Sequence, residues 1–117
     1  MVSAENYSSI LRSLYLSAFL SKEDSNFILE ILTRSNFPEG IPQGIPANVR
    51  VAHKIGSHHQ DETNLQELPV HTDCGIIYEP LRPYILCIMV QQRAAVAYPL
   101  IQQISGEIYK YISTVNK

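Results

Sequence analysis

The residues with the most chemical content lie in two stretches, Val51-Ala52-His53-Lys54-Ile55-Gly56-Ser57 and Asp73-Cys74-Gly75-Ile76-Ile77-Tyr78. A lysine near the end of a strand, followed by glycine, can aim its ammonium into a cleft. The glycine keeps the strand edge bare, so that a substrate can lie along it. A backbone N–H just beyond the glycine is then free to stabilise an oxyanion. The same Lys54-Ile55-Gly56 triplet also fits a solvated lysine on an edge strand, and three residues do not choose between the two readings. His53, His58, His59 and His71, with Asp61, Asp73 and Cys74, are the residue types that bind metals. Their spacing matches no strict ligand pattern, and solvated histidines in a polar loop account for them better. His53 is expected to face the core or a cleft edge beside Lys54.

The rest of the composition bounds what these residues can belong to. A chain of 117 residues has room for one domain, 1–117, with one core. Its 9 basic and 11 acidic residues give a net charge of −2, so no nucleic-acid partner is expected. The longest clean apolar run, Tyr84 to Val90, is too short to span a bilayer. Residues Met1 to Asn6 lack the basic and apolar regions of a signal peptide. Charged residues make up only 17% of the chain, so part of its surface is expected to be covered. Two cysteines do not make a disulfide framework.

The elements that must position these residues can be read from periodicity. Tyr7, Ile10, Leu11, Leu14, Tyr15, Ala18 and Phe19 form one helical stripe, with Ser3 as N-cap. Ser21 opens a second helix, with Phe27, Ile28, Ile31 and Leu32 on its buried side. Residues 35–48 carry Pro38, Pro42 and Pro46 among Gly40 and Gly44, which excludes helix and central strand. They read as an ordered connector over the surface; a disordered tether is the alternative. Val49 to Ile55, Thr72 to Glu79 and Tyr84 to Gln91 read as strands, the last two as a hairpin turning at Leu81-Arg82. That turn would set Cys74 opposite Met89, so both cysteines are expected as free buried thiols. Tyr84 to Val90 is apolar on both faces and is expected at the centre of the sheet. A last helix starts near Val96 to Tyr98, with Pro99 in its first turn, and Gly106 either weakens its middle or marks close packing against the sheet. The fold class is α+β: a three-stranded antiparallel sheet with the C-terminal helix on one face and two N-terminal helices near the other.

This order resembles the C-terminal part of serine hydrolases of the class A β-lactamase and penicillin-binding-protein family. In that family a Lys-Thr-Gly or Lys-Ser-Gly strand is followed by a hairpin of apolar strands and a long terminal helix. Here the matching segments are Ala52-His53-Lys54-Ile55-Gly56, Asp73 to Pro80, Pro83 to Val90 and Ile104 to Ile112. Gly44-Ile45-Pro46 matches the family's Gly-Leu-Pro step. The resemblance implies that Lys54 binds a substrate carboxylate and tunes the proton network around the nucleophile. Gly56 would admit the substrate, and the Ser57 N–H would be one oxyanion donor. The implied reaction is acyl transfer to a serine with hydrolysis of a β-lactam or peptide amide, outside the cytoplasm or in the periplasm, with no cofactor and no metal.

The departures are specific. No serine has lysine three residues later, and Ser-Asp-Asn is absent, since Asp24-Ser25-Asn26 is not that motif. The family's Glu-bearing deacylation loop is missing. Ile55 replaces the family's hydroxyl residue, and no arginine lies on the second strand. The chain is therefore expected to be a fragment, inactive alone, whose partner is the missing N-terminal portion of the domain or another chain. The alternative is a non-catalytic interaction module that forms a homo-oligomer or pairs through exposed helix faces.

Overall fold

The computed structural model describes residues 2–59, 63–64 and 66–115. The elements run α1 (Ala4–Tyr15), α2 (Lys22–Thr33), a 3-10 turn (Ile41–Gly44), β1 (Val51–His58), β2 (Val70–Ile77), β3 (Tyr84–Gln91) and α3 (Ala94–Thr114). Ser3 caps α1 by accepting the Asn6 N–H at 3.1 Å, and Ser21 caps α2 by accepting that of Asp24 at 3.0 Å. The helical stripe predicted through Ala18 and Phe19 stops one turn early. Ser17 takes a φ of 54°, and the Ala18 N–H reaches back to the Ser13 carbonyl at 2.9 Å, which ends the helix and reverses the chain. Phe19 is left 87% exposed.

The sheet order is β1-β2-β3, antiparallel throughout. This corrects the expectation that β3 is the central strand. Successive antiparallel connections lay the strands down in order, so β2 is the middle strand and β3 an edge. The two apolar sides of β3 are explained instead by cover from both layers. Ile85 and Cys87 pack towards α1 and α2, and Leu86, Ile88 and Val90 towards α3. α3 begins at Ala94, so Pro99 is its sixth residue and not in the first turn as expected. The helix bond that Pro99 cannot donate falls to the carbonyl of Ala95, in an exposed stretch where solvent can replace it.

One face of the sheet, with Val51, Ile77 and Ile88, packs on Ile101 of α3 and on Ile41 and Ile45 of the connector. The other, with Ala52, Cys74 and Ile76, packs on Leu11 of α1 and Leu29 of α2. The connector is ordered, but it is part of the core and does not merely lie over the surface, since Ile41 is completely buried. Gly44 makes this possible. A Cβ there would stand 2.4 Å from the Gln102 carbonyl oxygen and 2.7 Å from the Gly106 nitrogen. Gly106 therefore marks close packing against the connector, not against the sheet.

The hairpin corrects the reading of the cysteines. The Glu79 carboxylate accepts the N–H groups of Leu81 at 2.9 Å and Arg82 at 2.7 Å. These bonds hold a loop of residues 78–83, which closes on the pair Ile77 and Tyr84. Its centre lies between Pro80 and Leu81, one residue earlier than expected. Cys74 consequently faces Cys87 instead of Met89, with the Cα atoms 4.0 Å apart, and the two form a disulfide. Among the described residues no helix is long and apolar enough to cross a membrane.

Candidate functional site

Lys54, Gly56 and Ser57 lie on the last half of β1, all exposed, along an edge that no other strand covers among the described residues. The direction of their backbone groups follows from one hydrogen bond. The Tyr78 N–H donates to the Arg50 carbonyl at 2.9 Å, so that pair is a bonded rung. Bonded and non-bonded pairs alternate along an antiparallel ladder. Residues 52, 54, 56 and 58 therefore bond to β2, and the N–H and C=O groups of Ile55 and Ser57 point out along the open edge. The Ile55 carbonyl is accordingly free to accept a hydrogen bond from Lys54 Nζ. A Cβ on Gly56 would meet nothing within 4 Å, so the missing side chain leaves space that is open to solvent.

Other sequence candidates are not brought to this edge. Arg82 sits in the hairpin turn, at the end of the sheet opposite Ser57. Cys74 is held in the disulfide, His58 and His59 are exposed, and Asp61 lies outside the described residues. Among the described residues, no three His, Cys, Asp or Glu side chains gather as metal ligands would. His71 is buried at 4% exposure, its ring 5.0 Å from that of Tyr98, and neither ring nitrogen has a hydrogen-bond partner. Burial holds its pKa below the ordinary histidine value, against an opposing pull from the Gln92 backbone and with a smaller downward push from His59.

Directly behind the open edge is a buried pair that the sequence reading did not assemble. His53 Nδ1 lies 2.8 Å from Asp73 Oδ1, and Asp73 Oδ2 accepts the Ile41 N–H at 2.7 Å. Asp73 is 0% and His53 3% exposed. Two glycines make room for the pair. A Cβ on Gly40 would fall 1.9 Å from Asp73 Oδ2, and one on Gly75 would fall 2.7 Å from His53 Cβ. The carboxylate so ties β1, β2 and the connector at one point. Its charge is felt at Tyr98 and Tyr7, whose pKa values are raised first by burial and further by Asp73; at Tyr98, Glu39 contributes more than Asp73. A signal was present in the sequence. His53 alternates inward, and an acid inside the apolar run of β2 needs a buried partner. What was missing was the register, which places Asp73 opposite Ile55 and so diagonal to His53.

Comparison with known proteins agrees with this layout. The structure named PBP-A superposes with a TM-score of 0.82 at 20% identity, over 97% of this chain and 41% of that one. The TLA-3 extended-spectrum beta-lactamase gives a TM-score of 0.80 at 22% identity, over 94% of this chain and 41% of that one. A class A beta-lactamase from Bacteroides cellulosilyticus gives 0.77 at 20% identity, again over 94% and 41%. These likenesses show the fold, and the chain spans about 41% of the length of those proteins. None of the curated proteins is significantly similar in sequence. The pattern that defines the Beta-lactamase enzyme family matches residues 1–112, and the chain belongs to that family.

Proposed function

We propose that this chain, as one domain portion spanning 1–117, supplies the substrate-binding strand of a class A β-lactamase-like serine hydrolase. The observation that carries the reading is the bare edge of β1, where the Ser57 N–H, the open space at Gly56 and the exposed Lys54 ammonium line up over four residues. A serine supplied from outside these residues would attack the amide carbonyl of a β-lactam or peptide. The Ser57 N–H would hold the developing oxyanion, the amine would leave with a proton, and water would release the acyl group from the serine. Lys54 would hold the substrate carboxylate. Ile55 offers no hydroxyl for that task, so the ammonium would carry more of it. The Cys74–Cys87 disulfide supports a site outside the cytoplasm, where such bonds persist.

The test is hydrolysis of a chromogenic cephalosporin. The chain alone is expected to give none, because it has no Ser-x-x-Lys. Joined to a polypeptide that carries that motif, it is expected to hydrolyse, and Lys54→Ala is expected to lower the rate by about 10²–10³-fold, as for loss of one electrostatic stabiliser. Hydrolysis that Lys54→Ala leaves unchanged would overturn the assignment of the edge. The interaction-module reading draws on the exposed apolar residues of α1 and α2. It requires the same docking but forecasts no hydrolysis on assembly.

A further inference from the structure

The open edge of β1 extends back beyond Ile55. The bonded rung between Arg50 and Tyr78 sets the alternation, so the N–H and C=O groups of Val51 and His53 point out along the same edge as those of Ile55 and Ser57. The surroundings change along that row. Ser57 is exposed, whereas His53 and Val51 are only 3% and 8% exposed. The outward backbone groups of these two residues have no hydrogen-bond partner among the described residues. Both residues line a cavity of about 300 Å³, which the connector walls with Pro38, Pro42 and Pro46. Proline has no N–H to give to the edge carbonyls. The Pro42 and Pro46 carbonyls already accept the Ile45 and Val49 N–H groups at 3.1 and 2.9 Å, so they do not serve the edge N–H groups either. The Asp73 carboxylate, bonded to the His53 ring and to the Ile41 N–H, fixes the strand and the connector on either side of the space. Backbone groups on buried residues are almost always paired, so a ligand that brings its own N–H and C=O groups fits this cavity.

We propose that β1 takes its substrate as an extended peptide laid from Ser57 back to Val51, and that the scissile amide is internal to that peptide. The proposal rests on the reading of this edge as the substrate strand of a hydrolase and gives that site a substrate class. Outward donors and acceptors recur at residues 51, 53, 55 and 57, a spacing that the backbone of another extended chain matches. A peptide running antiparallel to β1 sets its scissile carbonyl on the Ser57 N–H. The second residue beyond it then pairs with Ile55, the fourth with His53 and the sixth with Val51. The stretch that enters the cavity is therefore the one that carries the leaving amine. The serine hydroxyl supplied from outside these residues forms an ester with the acyl half, the amide C–N bond breaks, the hydroxyl proton leaves on the amine, and water later frees the acyl half. A peptide that ends in a carboxylate beside the scissile bond is served less well. It would meet a Lys54 ammonium that already donates to the Ile55 carbonyl, and no hydroxyl at Ile55. Opposite Lys54 on the ladder stands Cys74, uncharged in its disulfide. The connector wall over Val51 and His53 admits a single strand and obstructs the sheet of a second copy, which is the competing occupant.

The experiment follows the backbone amide resonances of the 117-residue chain while it is titrated with two probes. One is an acetylated, amidated octapeptide of alternating serine and alanine, long enough to run from Ser57 to Val51. The other is an acetylated serine–alanine dipeptide with a free carboxylate. The octapeptide is expected to shift the Val51, His53, Ile55 and Ser57 amides and to bind at least tenfold more tightly than the dipeptide. Ala47→Phe, which fills the cavity from an exposed turn position, should weaken octapeptide binding at least tenfold and leave the melting temperature unchanged. Leu81→Asp, on the exposed hairpin turn, should bind as the wild type does. The proposal is overturned if the octapeptide does not bind, if the dipeptide binds as tightly, if only Ile55 and Ser57 shift, or if Ala47→Phe binds as well as the wild type. Shifts at Val51 and His53 that grow with protein concentration in the absence of peptide would give the edge to a second copy and overturn it too. Cephalosporin hydrolysis by the chain joined to a Ser-x-x-Lys polypeptide tests the hydrolase reading separately. Hydrolysis without octapeptide binding keeps that reading and sinks the internal-amide substrate. Octapeptide binding without hydrolysis keeps the peptide-binding strand and sinks the hydrolase.

Discussion

The two faces of the sheet are built to different degrees of completion. On the α3 side, Ile41, Ile77 and Ile101 are entirely buried, and the polar groups among them are largely paired. Asp73 is bonded to His53 and Ile41, and Ser105 donates to the Ile41 carbonyl at 2.9 Å. On the α1–α2 side the innermost residues, Leu11, Ala52 and Cys74, are as buried, but one layer out Ile10, Phe19, Phe27 and Ile31 meet solvent. The first face closes within this chain, whereas the second presents an apolar exterior that further protein can cover. Charge does not mark the difference, since α1 and α2 carry six charged residues in 24, Glu5, Arg12, Lys22, Glu23, Asp24 and Glu30, and α3 carries two in 21, Glu107 and Lys110.

If that contrast is right, the largest single loss should come from the closed face at its polar knot. Asp73→Ala removes one carboxylate and leaves both the His53 ring and the Ile41 N–H buried without a partner. Breaking a buried pair from one side typically costs about 3–5 kcal/mol. Urea unfolding should show that loss, with the connector amides exchanging first. Asp73→Asn should recover part of it, because an amide oxygen can still accept the Ile41 N–H. A loss below about 1 kcal/mol for Asp73→Ala, inside the range of ordinary substitutions, would show that apolar packing alone closes this face.

The next largest effect belongs to the open face, where a covalent bond supplements incomplete packing. Cys74 and Cys87 are 13 residues apart, a short loop for which cross-linking contributes roughly 3 kcal/mol through the unfolded chain. Cys74→Ala with Cys87→Ala should lower the urea midpoint, and the wild type in reductant should match the double variant. If the double variant unfolds at the wild-type midpoint, α1 and α2 already secure their side of the sheet, and the asymmetry between the faces is smaller than the burial suggests.

Much of this arrangement was legible in the sequence, and the failures share a cause. Helices with a capping serine and a one-sided stripe, such as that opening at Ser21, depend on local periodicity and were readable to within a residue. β3 was readable at both ends for the same reason. What depends on pairing was not. The Glu79 turn centres one residue earlier than expected, which moves each cross-strand partner by two residues, and that alone converts two expected thiols into a disulfide. His53 and Asp73 sit 20 residues apart and meet only through the β1–β2 ladder. Ser17 ends α1 through a left-handed backbone that serine rarely adopts, so the Phe19 corner had no local signature. Lys54, Gly56 and Ser57 were visible because their proximity is one of sequence.

The smallest expected effect comes from His71, which with Tyr84 is one of two residues on the closed face, among those described, whose buried side-chain polar atoms have no partner. His71 is as buried as its neighbours, yet neither ring nitrogen meets a well-aligned hydrogen-bond partner, and the pull of the Gln92 backbone does not offset the burial. Burial favours the neutral ring, so the folded-state pKa lies below the unfolded value of about 6.5. Between those two values the unfolded chain binds more protons than the folded one, and stability must rise with pH. The contribution is therefore present above about pH 6.5 and is lost as the pH falls through the unfolded value towards the folded one. The melting temperature should climb between about pH 5 and about pH 7.5, and His71→Phe should flatten part of that climb. His53 and His58 are common to both proteins, and the comparison is made with His59→Asn in both, because the charge of His59 acts on His71. Phenylalanine can keep the stack on Tyr98 and has no nitrogen to leave unpaired, so the variant should also melt at least as high as the wild type at acid pH. Parallel pH profiles for the two proteins would mean that His71 charges as readily folded as unfolded, and that the closed face is open to water at this end.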